Sequence, residues 1–127
     1  MLKAVMPAKK KILVVDDEPQ VCEAIAMLLT FDGYEVVTAG NGQEALARFA
    51  PGKFDIVTTD YKMPEMNGAE LALAIKALAP AQPVIMITAH GDMVKTSGVS
   101  LAGVDQMVSK PFQLADLREA IQKVLAR

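Results

Sequence analysis

The chain has 127 residues, which favours one domain with its own core and no need of disulfide or metal staples. A formal net charge of −2 gives no reason to expect recruitment to nucleic acid or membrane by bulk electrostatics, and a single cysteine, Cys22, excludes an intrachain disulfide and fits a reducing, cytoplasmic compartment. Hydrophobic residues reach 52% with aromatics at 5% and no Trp, so the core is aliphatic, yet no apolar run approaches the roughly 20 residues that span a bilayer.

Residues 1–10, "MLKAVMPAKK", read as a flexible N-terminal arm, because the apolar stretch is short and broken by Pro7. "KILVV" at 11–15 is a first strand. Pro19 suits a first helical turn, and Val21, Ile25, Leu28 and Leu29 form a one-sided stripe behind it. Gly33 turns the chain into a second strand, "YEVVTA". Asn41 is a cap for a helix that turns Leu46 and Phe49 inward. "FDIVTT" is a third strand, "PEMNG" a loop, and Leu71, Ala74, Ile75 and Leu78 the next helical stripe. Pro80 and Pro83 bracket a turn before "VIMIT", the fourth strand. Residues 92–102 are expected to be a poor helix, since Thr96, Ser97, Gly98, Val99 and Ser100 all have lower propensity than Ala. "VDQMVS" is a fifth strand, and Leu114, Leu117, Ile121, Val124 and Leu125 mark the last helix.

Strand and helix thus alternate five times, which implies right-handed crossovers and a parallel sheet covered on both faces. Strands 1, 3 and 4 are continuously apolar and belong at the centre. Strand 2 carries Glu35 and Thr38, and strand 5 carries Asp105, Gln106 and Ser109, so both belong at edges. The expected fold is α/β, a (βα)5 flavodoxin-like three-layer sandwich of strand order 2-1-3-4-5.

In that order ligands bind beyond the carboxyl ends of strands 1 and 3. Asp16 and Asp17 follow strand 1, Asp60 follows strand 3, Thr88 ends strand 4, and Lys110 follows strand 5. Taken singly, each has an ordinary reading as a cap, a turn residue or a solvated charge. Taken together they converge on one end of the sheet. Three close carboxylates repel one another unless a cation offsets them. The donors are all oxygen, with no His or Cys among them, so Mg²⁺ fits better than Zn²⁺. A carboxylate beside Mg²⁺, a lysine and a hydroxyl is suited to accept a phosphoryl group in line, giving an aspartyl phosphate.

The motifs "ILVVDDE", "DIVTTDYKMPEMNG", "VIMITA" and "SKPF" resemble those of bacterial two-component response-regulator receiver domains, similar to the single-domain chemotaxis and sporulation regulators. The resemblance runs over residues 11–126 and places a receiver domain at 11–127. It implies that Asp60 takes a phosphoryl group from a phosphohistidine of a sensor histidine kinase or phosphotransfer protein. It implies Mg²⁺ on Asp17, on Asp16 directly or through water, on Asp60, and on the backbone carbonyl of Lys62. Thr88 is expected to donate its hydroxyl to the phosphoryl oxygen, and Lys110 to pair with Asp60, with the 110–111 peptide bond commonly cis. Thr88 and Lys110 are then expected to relay the change to the surface of helix 4, strand 5 and helix 5, where an unknown downstream protein binds.

Three positions depart from or qualify the pattern. Met107 stands where similar families place Tyr or Phe; it is flexible enough to fill the gap but offers no aromatic plane. Lys62 lies near where an attacking water would approach, and its stem is expected either to shield the phosphate or to be inert. His90, two residues after Thr88, reads as an ordinary exposed residue or as a modulator of access. Low helix propensity makes residues 91–103 the segment of highest expected mobility outside the termini.

Competing classes are set apart by residues. A haloacid-dehalogenase-like hydrolase would carry Asp-x-Asp after strand 1, where adjacent aspartates stand. A flavodoxin-like cofactor binder would need a Gly/Ser/Thr-rich loop where "DDEPQ" would repel phosphate. A non-phosphorylated receiver-like interaction scaffold is the alternative that the complete acidic set argues against. The sequence ends with helix 5, so the expectation is that no output domain is present, whether the chain stands free or comes from a longer protein. No direct nucleic-acid or membrane contact is expected.

Overall fold

A computed structural model describes residues 9–126, so most of the expected N-terminal arm lies outside the described residues. Five strands and five helices alternate: β1 Lys11–Val15, α1 Pro19–Phe31, β2 Glu35–Ala39, α2 Gly42–Arg48, β3 Ile56–Thr59, α3 Gly68–Leu78, β4 Val84–Thr88, α4 Gly91–Thr96, β5 Gln106–Ser109 and α5 Leu114–Leu125. The strands form one parallel sheet in the order β2-β1-β3-β4-β5, as expected.

The two-residue period of the strands divides the core. Ile12 and Val14 face one side with Ile25 and Leu29 of α1 and Leu117, Ile121 and Val124 of α5. Leu13 and Val15 face the other with Ala45 of α2 and Leu71 and Ile75 of α3. β3 and β4 are buried along their whole length, whereas β2 and β5 alternate with exposed residues, which is why those two sit at the edges.

Local signals hold at the helix starts. Pro19 opens α1. The Asn41 side chain accepts the Glu44 N–H at 2.7 Å. Asn67, within the stretch read as loop, caps α3 in a capping box with Glu70.

Three expectations are corrected. Leu78 is not core: it is 56% exposed as the last residue of α3, whose buried face is carried by Leu71, Ala72 and Ile75. α4 stops at Thr96 rather than continuing to 102. The Thr96 hydroxyl lies 3.0 Å from the Asp92 carbonyl and 3.2 Å from that of Met93, and the Ser97 hydroxyl donates to the Val94 carbonyl at 2.8 Å. Gly98 then turns left-handed at φ 82. These hydroxyls satisfy carbonyls that further helical N–H groups would otherwise take, and the glycine terminates the helix. β5 also starts two residues later than the apolar run, because Asp105 is committed to a latch. Its Oδ2 accepts the Val84 N–H at 2.8 Å and the Lys76 ammonium at 2.7 Å.

Past the six-residue α4, the Val99 and Ala102 N–H groups donate to the Ser97 and Ser100 hydroxyls, at 3.3 and 3.4 Å, and not to a regular backbone ladder. Amide hydrogen exchange is expected to be fastest across residues 97–102, outside the chain ends. Protection there equal to that of α3 would contradict this.

Candidate functional site

Asp16 is the first residue past β1, and its N–H donates to the Ala39 carbonyl at 3.2 Å. Its side chain is 1% exposed and both oxygens are engaged. Oδ1 accepts the Glu18 N–H at 2.9 Å, closing an Asx-type turn into α1, and Oδ2 accepts from Lys110 Nζ at 2.8 Å. Asp17 is the more open member of the pair. Asp60 follows β3, with its N–H on the Val15 carbonyl at 3.1 Å. Its Oδ1 accepts the Tyr61 N–H at 2.7 Å, and its Oδ2 lies 3.4 Å from Lys110 Nζ.

Carboxylate oxygens of Asp16, Asp17 and Asp60 lie within 4.8 Å of one another. Lys110, beyond β5, is placed by its N–H on the Thr88 carbonyl at 2.9 Å, and the Lys110–Pro111 peptide bond is cis, as expected. Burial alone would push the lysine pKa down. The hydrogen bond to Asp16 and the charges of Asp16 and Asp60 outweigh it, and the pKa is raised. Lys110 is therefore an ammonium held between two carboxylates.

The sequence-predicted residues Asp16, Asp17, Asp60 and Lys110 come together in one cluster. Thr88 ends β4 beside Lys110, fully buried, and its hydroxyl accepts the His90 N–H at 3.1 Å. His90 thus meets the site through its backbone, as the residue that opens α4. Lys62 is exposed on the turn after Asp60, and no hydrogen bond or ion pair engages its side chain among the described residues. Met107 is half-buried, its Sδ 3.2 Å from where a Cβ on Gly91 would stand.

Three carboxylates and one ammonium leave an excess of two negative charges. The donor set is all oxygen, crowded and partly open, which suits one hard divalent cation better than none. A metal of this kind fits the residues present.

Two glycines went unread in the sequence. A Cβ on Gly68 would collide with the Asp60 carbonyl oxygen and stand 2.9 Å from its carbon, while the Gly68 N–H donates to the Tyr61 carbonyl at 2.7 Å. The start of α3 rests directly on the backbone of Asp60 and Tyr61. The contact at Gly91 is milder, 3.2 Å to the thioether end of a flexible side chain. Both needs arise from long-range packing and leave only a bare glycine as a sequence signal.

The sequence model of the response regulator receiver domain matches residues 12–122. The transcriptional regulatory protein GlrR of Escherichia coli K12 is 37% identical over 114 residues, covering 90% of this chain and 26% of that relative's length. The chain therefore spans about a quarter of that relative. A response regulator receiver domain protein from Clostridium thermocellum matches with a TM-score of 0.85 and 37% identity over 93% of this chain and 95% of that one. The response regulator protein TrrA of Thermotoga maritima, solved in complex with Mg(2+)-BeF, matches with a TM-score of 0.83 and 38% identity over 91% of this chain and 98% of that one. The chain belongs to the response regulator receiver domain family, the phosphoacceptor domain of two-component signalling.

Filling the contact at Gly68 forces backbone apart where α3 meets Asp60. Gly68→Ala is expected to lower unfolding stability by about 1–3 kcal/mol in chemical denaturation. An unchanged midpoint would show that the contact relaxes without cost.

Proposed function

We propose that Asp60 is the phosphoacceptor, with Asp16, Asp17, Asp60 and the Lys62 carbonyl as the Mg²⁺ site. The donor is a phosphohistidine on a sensor histidine kinase or phosphotransfer protein. The observation that carries this reading is the Lys110 ammonium, 2.8 Å from Asp16 and 3.4 Å from Asp60 at the carboxyl end of the sheet. An Asp60 carboxylate oxygen attacks phosphorus, a P–O bond forms, the P–N bond breaks, and its electron pair returns to the donor imidazole. Lys110 offsets charge on the acceptor side. Bound Mg²⁺ supplies further neutralisation of the phosphoryl oxygens. Hydrolysis of the acyl phosphate resets the switch. The domain catalyses only its own phosphorylation and dephosphorylation, and is a regulator rather than an enzyme acting on a released substrate.

Its partners on this reading are the phosphodonor and a downstream protein. A cytoplasmic location goes with such a donor. No helix among the described residues is long and apolar enough to cross a membrane. The net charge of −2 gives the domain no bulk attraction to a polyanion.

Beryllofluoride stands in for the phosphoryl group in the test. Its binding, followed by NMR titration, is expected to require Mg²⁺ and to vanish in Asp60→Asn. Binding that survives the substitution, or that ignores Mg²⁺, would overturn the assignment.

The same geometry supports a route outward. The Thr88 hydroxyl holds the His90 N–H at the start of α4. When that hydroxyl turns to a phosphoryl oxygen, the His90 amide loses its partner and the first turn of α4 is free to shift. Met107 is seated against Gly91 in that turn and transmits the shift to β5 with a flexible thioether in place of an aromatic ring. Gly91→Ala is expected to displace Met107 and to shrink the beryllofluoride-induced NMR shifts at residues 104–109. Shifts of wild-type size there would exclude this route.

A further inference from the structure

Thr59 closes β3 with its side chain 1% exposed, in a strand that otherwise packs Ile56 and Val57 into the two cores. A hydroxyl in such a place needs a partner. Thr59 Oγ1 donates to the Asp60 carbonyl oxygen at 2.8 Å and lies 4.0 Å from Met63 Sδ. The same carbonyl faces Gly68 too closely for any Cβ to fit between them. No other donor reaches that oxygen among the described residues. The Asp60 carbonyl is therefore held by one side-chain hydroxyl on one side and walled by a glycine on another.

That carbonyl belongs to the Asp60–Tyr61 peptide. The N–H of the same peptide donates to Asp60 Oδ1 at 2.7 Å. Rotating the peptide moves the N–H off the carboxylate and redirects the chain toward Lys62. Valine has nearly the shape of threonine and would pack as well in the strand, but it would leave the carbonyl free to turn.

We propose that Thr59 is a positioning residue for the phosphoryl site: its hydroxyl fixes the Asp60–Tyr61 peptide and so aims the Asp60 carboxylate. This rests on the reading of Asp60 as phosphoacceptor. The Thr59 hydroxyl meets the Asp60 carbonyl and Met63 Sδ, and it acts through Asp60. Partners of this kind, one step behind a metal ligand, are typically worth about 10- to 100-fold in affinity.

The test compares Thr59→Val, Thr59→Ser and the wild type. The first measurement is Mg²⁺-dependent beryllofluoride affinity by NMR titration. The second is the Tyr61 amide proton resonance in metal-free protein, which reports the hydrogen bond to Asp60 Oδ1 without any loaded site. Thr59→Val is expected to weaken beryllofluoride binding by about 10- to 100-fold and to move the Tyr61 amide proton upfield. Thr59→Ser keeps the hydroxyl and is expected to stay near wild type in both. If Thr59→Val does not fold, Thr59→Ala takes its place against Thr59→Ser. Wild-type affinity with an unmoved Tyr61 amide in the hydroxyl-free variant overturns the proposal, and so does equal loss in the serine variant. Beryllofluoride binding that persists in Asp60→Asn would instead strike the phosphoacceptor reading beneath it.

Discussion

One ammonium group organises this end of the molecule. Lys110 Nζ is shared between Asp16 at 2.8 Å and Asp60 at 3.4 Å. Burial works against a charged lysine, and the two carboxylates reverse that effect, so the pKa rises instead of falling. The pairing is mutual. Asp16 is 1% exposed, and a buried carboxylate without a partner would be strongly destabilising. Yet one lysine does not balance three acids. The cluster is held together while still short of positive charge, a shortage that a divalent cation would offset.

The sheet makes this pairing possible and also makes it demanding. All five strands are parallel, so every carboxyl end lies on one side. β5, however, is two strand spacings from β3 and three from β1, about 10 and 14 Å. A short side chain beyond β5 would not reach the acids. Lysine supplies the length, and the Lys110 N–H on the Thr88 carbonyl sets where its stem begins. Thr88 thus sits between β3 and β5 in space and touches the lysine through its carbonyl and the start of α4 through its hydroxyl. A change felt at that threonine has two ways to leave the site.

What was legible in the sequence follows from the range of the forces involved. The central strands, the edge strands and their order could be read because burial on two faces imposes continuous apolar runs, as in Ile85, Met86 and Ile87. Asp16, Asp17, Asp60 and Lys110 could be read because topology puts the ends of strands in one place whatever the side-chain details. Leu78 misled because an apolar residue in helical register need not face inward. The end of α4 was half legible. Low propensity pointed to weakness, but only the back-bonded hydroxyls of Thr96 and Ser97 show where the helix stops. The close packing of Gly68 and Gly91 and the bond from the Thr59 hydroxyl to the Asp60 carbonyl were illegible. Both depend on what happens to lie against these residues, and that is a property of the assembled fold.

These local facts combine at β5. At its amino end, Asp105 ties the strand to β4 through the Val84 N–H at 2.8 Å and to α3 through Lys76 at 2.7 Å. At its carboxyl end, Lys110 ties it to Thr88 and to the acidic cluster. Between those anchors the strand is only four residues long, and the helix leading into it is six. The edge strand is thus held at one end by the Asp105–Lys76 ion pair and at the other by the pairing of Lys110 with Asp16. Between the anchors every residue from Gln106 to Ser109 is paired to β4, Met107 included, so the strand and its Gly91 contact are placed as one unit. The shortness of α4 then has a mechanical reading: less helix packed against β5 means less structure to move when the site changes state.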